Sequence, residues 1–140
     1  MKRELDEQLC KIAPTLFGDR NADMRNTALC WGFEVGDGWY TLLKEAAEKL
    51  EPLCRAEAEK ATDEIKQWYG GPPCRASQIK EKYGTLRFYM TSETDAMSTI
   101  IDKATSQSSK TCESCGKPGK LRGSGWLFTR CAACWKKEQK

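Results

Sequence analysis

The chain has 140 residues, enough for one domain with a small appendage and enough to bury a core without disulfides. Charged residues make up 31% of the sequence and hydrophobic residues 39%, which is the composition of a soluble globular protein and excludes a disordered one. The net charge is +3 and there is no histidine, which excludes every His-dependent triad and every imidazole acid–base scheme.

The first residues predict a short amphipathic helix. Leu5, Leu9 and Ile12 recur at helical spacing, and Pro14 ends the pattern. The segment before Leu9 carries acidic side chains where a signal peptide has an apolar run. We therefore expect neither secretion nor membrane insertion.

A glycine-rich aromatic turn at residues 31–39 precedes a longer helical pattern. Asp37 is expected to cap that helix, because its carboxylate can accept the free amide N–H groups of the first turn. Pro52 is expected to kink or split the helix, with a second helical stretch over residues 55–69. Three aromatic residues of the turn are expected to pack on this helix as core: Trp31, Phe33 and Trp39.

The spacing of apolar residues changes from helical to alternating after residues 70–73, a Gly-Gly-Pro-Pro segment that ends a helix. Apolar and polar residues alternate within 75–90, which predicts a β-hairpin that turns near Tyr83. Ser92, with Asp95 three residues later, predicts a capped helix, and residues 105–111 are expected to be a linker. The predicted fold class is α+β, with helices around a small antiparallel sheet in residues 1–109, the body, and a zinc finger in residues 110–140, the finger.

Four cysteines in the finger form two C-x-x-C pairs separated by 15 residues, which is the spacing of a Cys₄ zinc site. Gly116 can supply the positive φ of a knuckle, two short strands can follow, and the second pair opens a helical run. A knuckle, a hairpin and a short helix in this order resemble the treble-clef zinc fingers. The predicted ligands of one Zn²⁺ per chain are Cys112, Cys115, Cys131 and Cys134.

Two alternatives to zinc are less well supported by the pattern. A redox dithiol normally has one C-x-x-C in a βαβ setting, which is absent here. An iron–sulfur cluster could use four cysteines, but paired spacing with a hairpin between the pairs suits zinc better. Because protein fills all four positions, we expect a structural ion rather than a catalytic one. The remaining cysteines show no ligand spacing and are expected to be small buried side chains: Cys10, Cys30, Cys54 and Cys74. A second metal site or a redox-sensitive thiol is the alternative, and it requires the fold to bring them together.

No catalytic constellation is evident. Glu34 and Asp37 flank a turn but are typical of caps and turns, and the glycines there are not followed by the Lys-Ser/Thr of a phosphate-binding loop. The basic and aromatic residues near Tyr83 could stack on nucleic acid, although a solvated sheet face would look the same. The sequence therefore predicts a protein that is not an enzyme, with no small-molecule substrate.

Three blocks of the sequence, residues 36–40, 78–89 and 112–134, resemble a group of small uncharacterised phage and prophage proteins. The resemblance implies a phage-encoded protein that acts in the host cytoplasm, and it implies no activity. The glycine-rich turn of that group contains a cysteine where this chain has Val35. This departure argues against an essential ligand at that position.

These observations predict a non-enzymatic zinc-binding protein that binds and modulates a host macromolecule, most simply a host protein, without contacting a membrane. The alternative is a nucleic-acid-binding regulator, since the finger contains eight basic and two acidic side chains, for a net charge of +6. Two aromatic residues are the candidate anchors for a protein partner: Trp126 and Phe128. Four basic residues are the candidates for nucleic acid: Lys120, Arg122, Lys136 and Lys137.

Overall fold

The predicted α+β class is confirmed by the computed structural model, which describes residues 1–139. Within these residues there are five α-helices: α1 (Arg3–Ile12), α2 (Tyr40–Lys60), α3 (Asp63–Tyr69), α4 (Asp95–Ser108) and α5 (Ala132–Glu138). There are five strands: β1 (Phe33–Glu34), β2 (Ala76–Lys82), β3 (Thr85–Met90), β4 (Lys120–Arg122) and β5 (Phe128–Arg130). β1–β2–β3 form one sheet and β4–β5 form a second. No helix of the described residues is both long and apolar enough to cross a membrane.

The predicted hairpin is the centre of the larger sheet. β2 and β3 are antiparallel, with Ile79 opposite Phe88 and Lys82 opposite Thr85, so the turn lies at Tyr83 as expected. β1 adds a parallel edge, with Phe33 beside Ile79. The sequence pattern did not predict β1, because two residues among glycines are too few to show a period.

Helices α1, α2 and α4 pack around this sheet, and their apolar faces form one core with it. The fully buried members include Leu9 of α1, Leu43 of α2, Met97 of α4 and Ile79 of β2. Trp39 is also completely buried, and its indole N–H donates to the main-chain oxygen of Thr111 (2.9 Å). A side chain of the body core is thus bonded directly to the finger.

The expected split at Pro52 is wrong, because α2 continues through it to Lys60. The second stretch expected over residues 55–69 is also wrong, since the helix ends at Lys60 and α3 begins at Asp63. Pro52 lies on the exposed side of the helix. Because proline has no N–H, the carbonyl oxygen of Glu48 loses its helical hydrogen bond, but on this side it can bind water. The turns on either side are fixed by the buried residues Leu50 and Cys54. Tertiary packing therefore holds a helix that the local sequence disfavours.

Two expected boundaries around α4 are also wrong. The side chain that caps α4 belongs to Thr94, which accepts from the N–H of Met97, rather than to Ser92. The expected linker is largely helical, since α4 runs to Ser108, which is buried and whose hydroxyl accepts from the N–H of Leu86 (2.9 Å). That bond ties the end of α4 to β3, a long-range contact that local sequence does not reveal.

Two expectations for the glycine-rich turn are wrong as well. Trp31 is 65% exposed, whereas Phe33 and Trp39 are buried as expected. The left-handed conformation of Gly32 (φ 88°) changes the chain direction between Trp31 and Phe33, so the two rings face different sides. Asp37 does not cap α2: its carboxylate accepts from the main-chain N–H of Lys2 (2.7 Å).

Candidate metal centre

The four cysteines of the finger come together as the spacing predicts. The sulfur atoms of Cys112, Cys115, Cys131 and Cys134 all lie within 4.8 Å of one another, and this group could hold a metal ion. Cys112 is completely buried, while Cys115 lies at the surface. In the described part of the chain, no other three Cys, Asp or Glu side chains form such a group.

The first pair lies on a knuckle that local hydrogen bonds close. The N–H of Gly116 donates to the carbonyl oxygen of Cys112 (2.9 Å), and the N–H of Cys112 donates to that of Lys117 (2.8 Å). Gly116 has φ 82°, a conformation that glycine adopts without strain, as the sequence predicts. This turn directs both sulfur atoms of the pair to the same side.

The second pair lies at the start of α5. β5 ends at Arg130, and Cys131 is the N-cap of α5, where its sulfur accepts from the main-chain N–H of Cys134 (3.4 Å). One helical turn then places Cys134 beside Cys131. The predicted order of knuckle, hairpin and short helix is therefore present.

Hydrogen bonding differentiates the thiols of the second pair. The N–H of Cys134 stabilises the thiolate of Cys131 and lowers its pKa to about 7. Cys134 shares a hydrogen bond with the sulfur of Cys131, and this contact raises the pKa of Cys134 to about 12. The second pair thus favours the thiolate at Cys131 and the neutral thiol at Cys134. A bound dication would displace the proton of Cys134, since metal ligation by cysteine requires the thiolate.

The knuckle contacts the glycine-rich turn of the body. The N–H of Gly38 donates to the main-chain oxygen of Glu113 (2.7 Å), and the N–H of Gly36 donates to the Glu113 carboxylate (2.9 Å). A Cβ on either glycine would overlap main-chain atoms of Cys112 or Glu113. The two glycines are therefore required for close approach of the finger, a role that sequence reasoning did not assign to them.

A second contact joins the finger hairpin to the body hairpin. The hydroxyl of Thr129, which is completely buried, donates to the main-chain oxygen of Gly84 (2.6 Å). The carbonyl oxygen of Thr129 accepts from the N–H of Glu113 (3.0 Å), so β5, the knuckle and the body turn form one continuous network. The division at residue 109 stays a prediction, but the two segments share these buried contacts.

A buried ion pair also stabilises the base of the finger. The guanidinium of Arg130 lies 3.3 Å from the carboxylate of Glu113 and 2.9 Å from that of Glu138. Arg130 and Glu113 are each about nine-tenths buried. This arginine is therefore committed to internal contacts and is not a free charge for a partner.

The predicted partner residues lie in different environments. Trp126 is 82% exposed, whereas Phe128 is half-buried against Trp135, with 6.4 Å between ring centres. Arg122 is half-buried and donates to the main-chain oxygen of Arg130 (2.9 Å). The other three basic candidates are exposed: Lys120, Lys136 and Lys137. Their role in binding stays a prediction.

The four scattered cysteines lie outside the cluster. Cys54 and Cys74 are buried, as expected, while Cys10 and Cys30 are half-buried. Burial, reinforced by the charges of Cys74 and Glu51, raises the pKa of Cys54 to about 12. Burial likewise raises the pKa of Cys10 to about 11. At Cys10 and Cys54 burial therefore favours the neutral thiol.

The chain matches no protein-family model, no curated protein and no solved structure. The resemblance to phage proteins accordingly stays a prediction.

Proposed function

We propose that this protein is a phage-encoded, non-enzymatic interaction protein whose finger contains one structural Zn²⁺. The observation that carries the proposal is the group of four cysteine sulfurs within 4.8 Å of one another. Zinc in proteins is bound tetrahedrally with Zn–S distances of about 2.3 Å, which places pairs of sulfur atoms about 3.8 Å apart. The sulfur atoms of Cys115 and Cys131 lie 3.7 Å apart, which suits that geometry.

The coordination number supports a structural role. Four protein thiolates complete a tetrahedron, so such a site has no open position for a water or a substrate. When bound, the ion cross-links the knuckle to the start of α5. A chain without histidine also lacks the most common general base, which further supports a protein that is not an enzyme.

The finger needs such a cross-link because its own core is very small. Among its described residues only Cys112, Glu113 and Thr129 are buried, and none of them is a large apolar side chain. A segment of this size rarely folds on apolar burial alone, and a bound metal supplies the missing stability. The ion would also hold in place the two contacts with the body, at Gly38 and Gly84.

The surface of the finger supports an interaction with another macromolecule, and it favours a protein. Trp126 is 82% exposed, and exposed tryptophans are frequent anchors of protein interfaces. Both arginines of the finger, Arg122 and Arg130, are engaged internally. The formal charge of −2 of a Cys₄ zinc site reduces the net charge of the finger from +6 to +4. The resemblance to phage proteins supports a host protein as the partner.

A nucleic-acid partner is the alternative, favoured by the five exposed lysines among the described residues of the finger: Lys110, Lys117, Lys120, Lys136 and Lys137. Phosphate contacts release counterions, so such binding weakens steeply with salt. A salt series on a polynucleotide column separates the two. Retention at low salt that disappears at moderate salt would favour nucleic acid, and weak retention throughout would favour a protein partner.

Metal analysis tests the zinc assignment, and capture from a lysate tests the interaction. We expect about one zinc per purified chain, lost in Cys131→Ser and retained in the control Cys30→Ser, which alters a cysteine outside the cluster. A folded Cys131→Ser protein with full zinc would contradict the assignment.

Tagged protein is expected to capture a partner from bacterial lysate, and the captured complex is expected to survive nuclease treatment. Loss of the partner on nuclease treatment would support the nucleic-acid alternative.

A further inference from the structure

An open cleft lies between the tips of the two hairpins, one from the body and one from the finger. Its walls carry two exposed aromatic side chains, Tyr83 at 62% and Trp126 at 82% exposure. The cleft has a volume of about 260 Å³. Its lining residues are Glu81, Lys82, Tyr83, Gly125, Trp126 and Leu127.

The two walls are fixed relative to each other. Below the cleft, the Thr129 hydroxyl donates to the carbonyl oxygen of Gly84, and the side chain of Leu121 packs so closely on Gly84 that a Cβ there would overlap it. Gly84 is the neighbour of Tyr83. The backbone of the turn that carries Tyr83 is therefore held next to the finger hairpin by buried contacts, and a preorganised surface loses less entropy on binding.

The backbone at Tyr83 indicates that its ring serves more than the turn. Tyr83 has φ 55°, and among the described residues it is the one with positive φ that is not glycine. Two-residue hairpin turns with positive φ favour Asn or Asp at this position, because a bulky side chain is strained there. Strained residues concentrate at functional sites, where the side chain is needed for another purpose.

The charges in the cleft disfavour a polyanion. One acid and one base line it, Glu81 and Lys82. The carboxylate of Glu81 accepts from the N–H of Gly84 (2.7 Å), and the ammonium of Lys82 lies 5.5 Å from the centre of the Tyr83 ring. Because the two charges cancel, the cleft is better matched to an uncharged apolar group than to phosphate.

The volume of the cleft suits a side chain better than a small-molecule ligand. Ligand pockets usually measure about 300–1,000 Å³, whereas an apolar cavity of about 150 Å³ is enough to bind benzene. A cleft of about 260 Å³ therefore accommodates one large aromatic or aliphatic side chain.

We propose that the cleft between Tyr83 and Trp126 binds a segment of a partner protein that inserts one large apolar side chain between the two rings. This inference rests on the proposed function, since it identifies the surface and the chemistry of the partner of an interaction protein. Tyr83 and Trp126 are the two anchors. Their spacing depends on the contact of the finger with Gly84.

Selection of peptides from a random dodecapeptide library on the zinc-loaded protein tests the proposal. The selected peptides are expected to share one large apolar residue and to lose at least about tenfold in affinity for Trp126→Ser. Tyr83→Asn is expected to weaken them similarly while raising the melting temperature, because Asn suits the turn. The matched control Trp68→Ser removes a tryptophan that is 84% exposed elsewhere, on α3, and should leave the affinity unchanged.

Five outcomes would overturn the proposal. One is that selection on the wild-type protein enriches peptides no more than selection on the Tyr83→Asn/Trp126→Ser double variant. Another is that the selected peptides bind all variants with equal affinity. The third is that oligo(dT) binds the cleft and depends on both rings, which would identify nucleic acid as the occupant. If the double variant still captures the wild-type protein's partner from lysate, the cleft assignment fails while the proposed function stands. If the wild-type protein captures nothing, both fail.

Discussion

Replacement of Gly38 by alanine tests the contact between the knuckle and the body. A Cβ on Gly38 would overlap main-chain atoms of Cys112 and Glu113, and backbone cannot move aside as a flexible side chain can. Overpacking of this kind costs about 1–3 kcal/mol. Displacement of the knuckle would also lose the hydrogen bond from the Gly38 N–H to Glu113, worth about 0.5–1.5 kcal/mol.

The expected destabilisation of Gly38→Ala is therefore about 1.5–4.5 kcal/mol, which lowers the melting temperature by on the order of 10 °C. Because the knuckle carries two of the four candidate ligands, we also expect faster loss of zinc to a chelator. Thermal unfolding by circular dichroism and a colorimetric chelator assay measure the two effects.

Gly18→Ala is the matched control for this substitution. Gly18 has no atom within 4 Å of a built Cβ and no positive φ, so alanine there should leave stability and zinc release unchanged. If Gly38→Ala unfolds and releases zinc like the wild type, the close approach of knuckle and body does not stabilise the protein, and the reasoning is refuted.

Three further predictions follow from single contacts. Trp39→Ala removes a completely buried ring and its bond to Thr111, and it should cost about 3–5 kcal/mol; an unchanged unfolding curve would contradict the assignment of this ring to the core. Thr129→Val removes the hydroxyl that donates to Gly84 and should cost about 1–3 kcal/mol in denaturant unfolding while zinc stays at one equivalent; loss of zinc would contradict this. Cys54, whose pKa is raised to about 12, should resist iodoacetamide at pH 8 in the native protein; mass spectrometry showing modification at the rate of a free thiol would contradict its burial.

Features that depend on local spacing were predictable from the sequence. The grouping of Cys112 with Cys115, and of Cys131 with Cys134, follows from the reach of two-residue turns. The β2–β3 hairpin follows from a period of two on either side of Tyr83 and Gly84. In each case the residues that interact are close together in the chain.

Features that depend on contacts between distant segments were not predictable. Gly36 and Gly38 are indistinguishable from ordinary turn glycines until Glu113, more than 70 residues away, is placed against them. Thr129 gives no sequence signal that its hydroxyl bonds to Gly84. Trp31 is a large aromatic residue of the kind expected in a core, and it is nevertheless exposed. These outcomes depend on which faces meet, which a single sequence does not encode locally.

The signal that could have found the finger contacts is the arrangement of the glycines. Gly84 and Gly38 each lie next to an aromatic residue, and of the two only Gly84 has the positive φ (81°) for which a turn favours glycine. A glycine next to an aromatic residue can indicate that another segment of backbone approaches closely, as well as a turn. Both glycines have this role here.

X-ray absorption at the zinc edge, on the purified protein as it is isolated, tests the central claim most directly. The account predicts four sulfur ligands at about 2.3 Å around one zinc per chain, with no oxygen or nitrogen ligand. A shell that contains oxygen or nitrogen in place of a sulfur from Cys112, Cys115, Cys131 or Cys134 would show an open or different site, and it would contradict a closed structural centre.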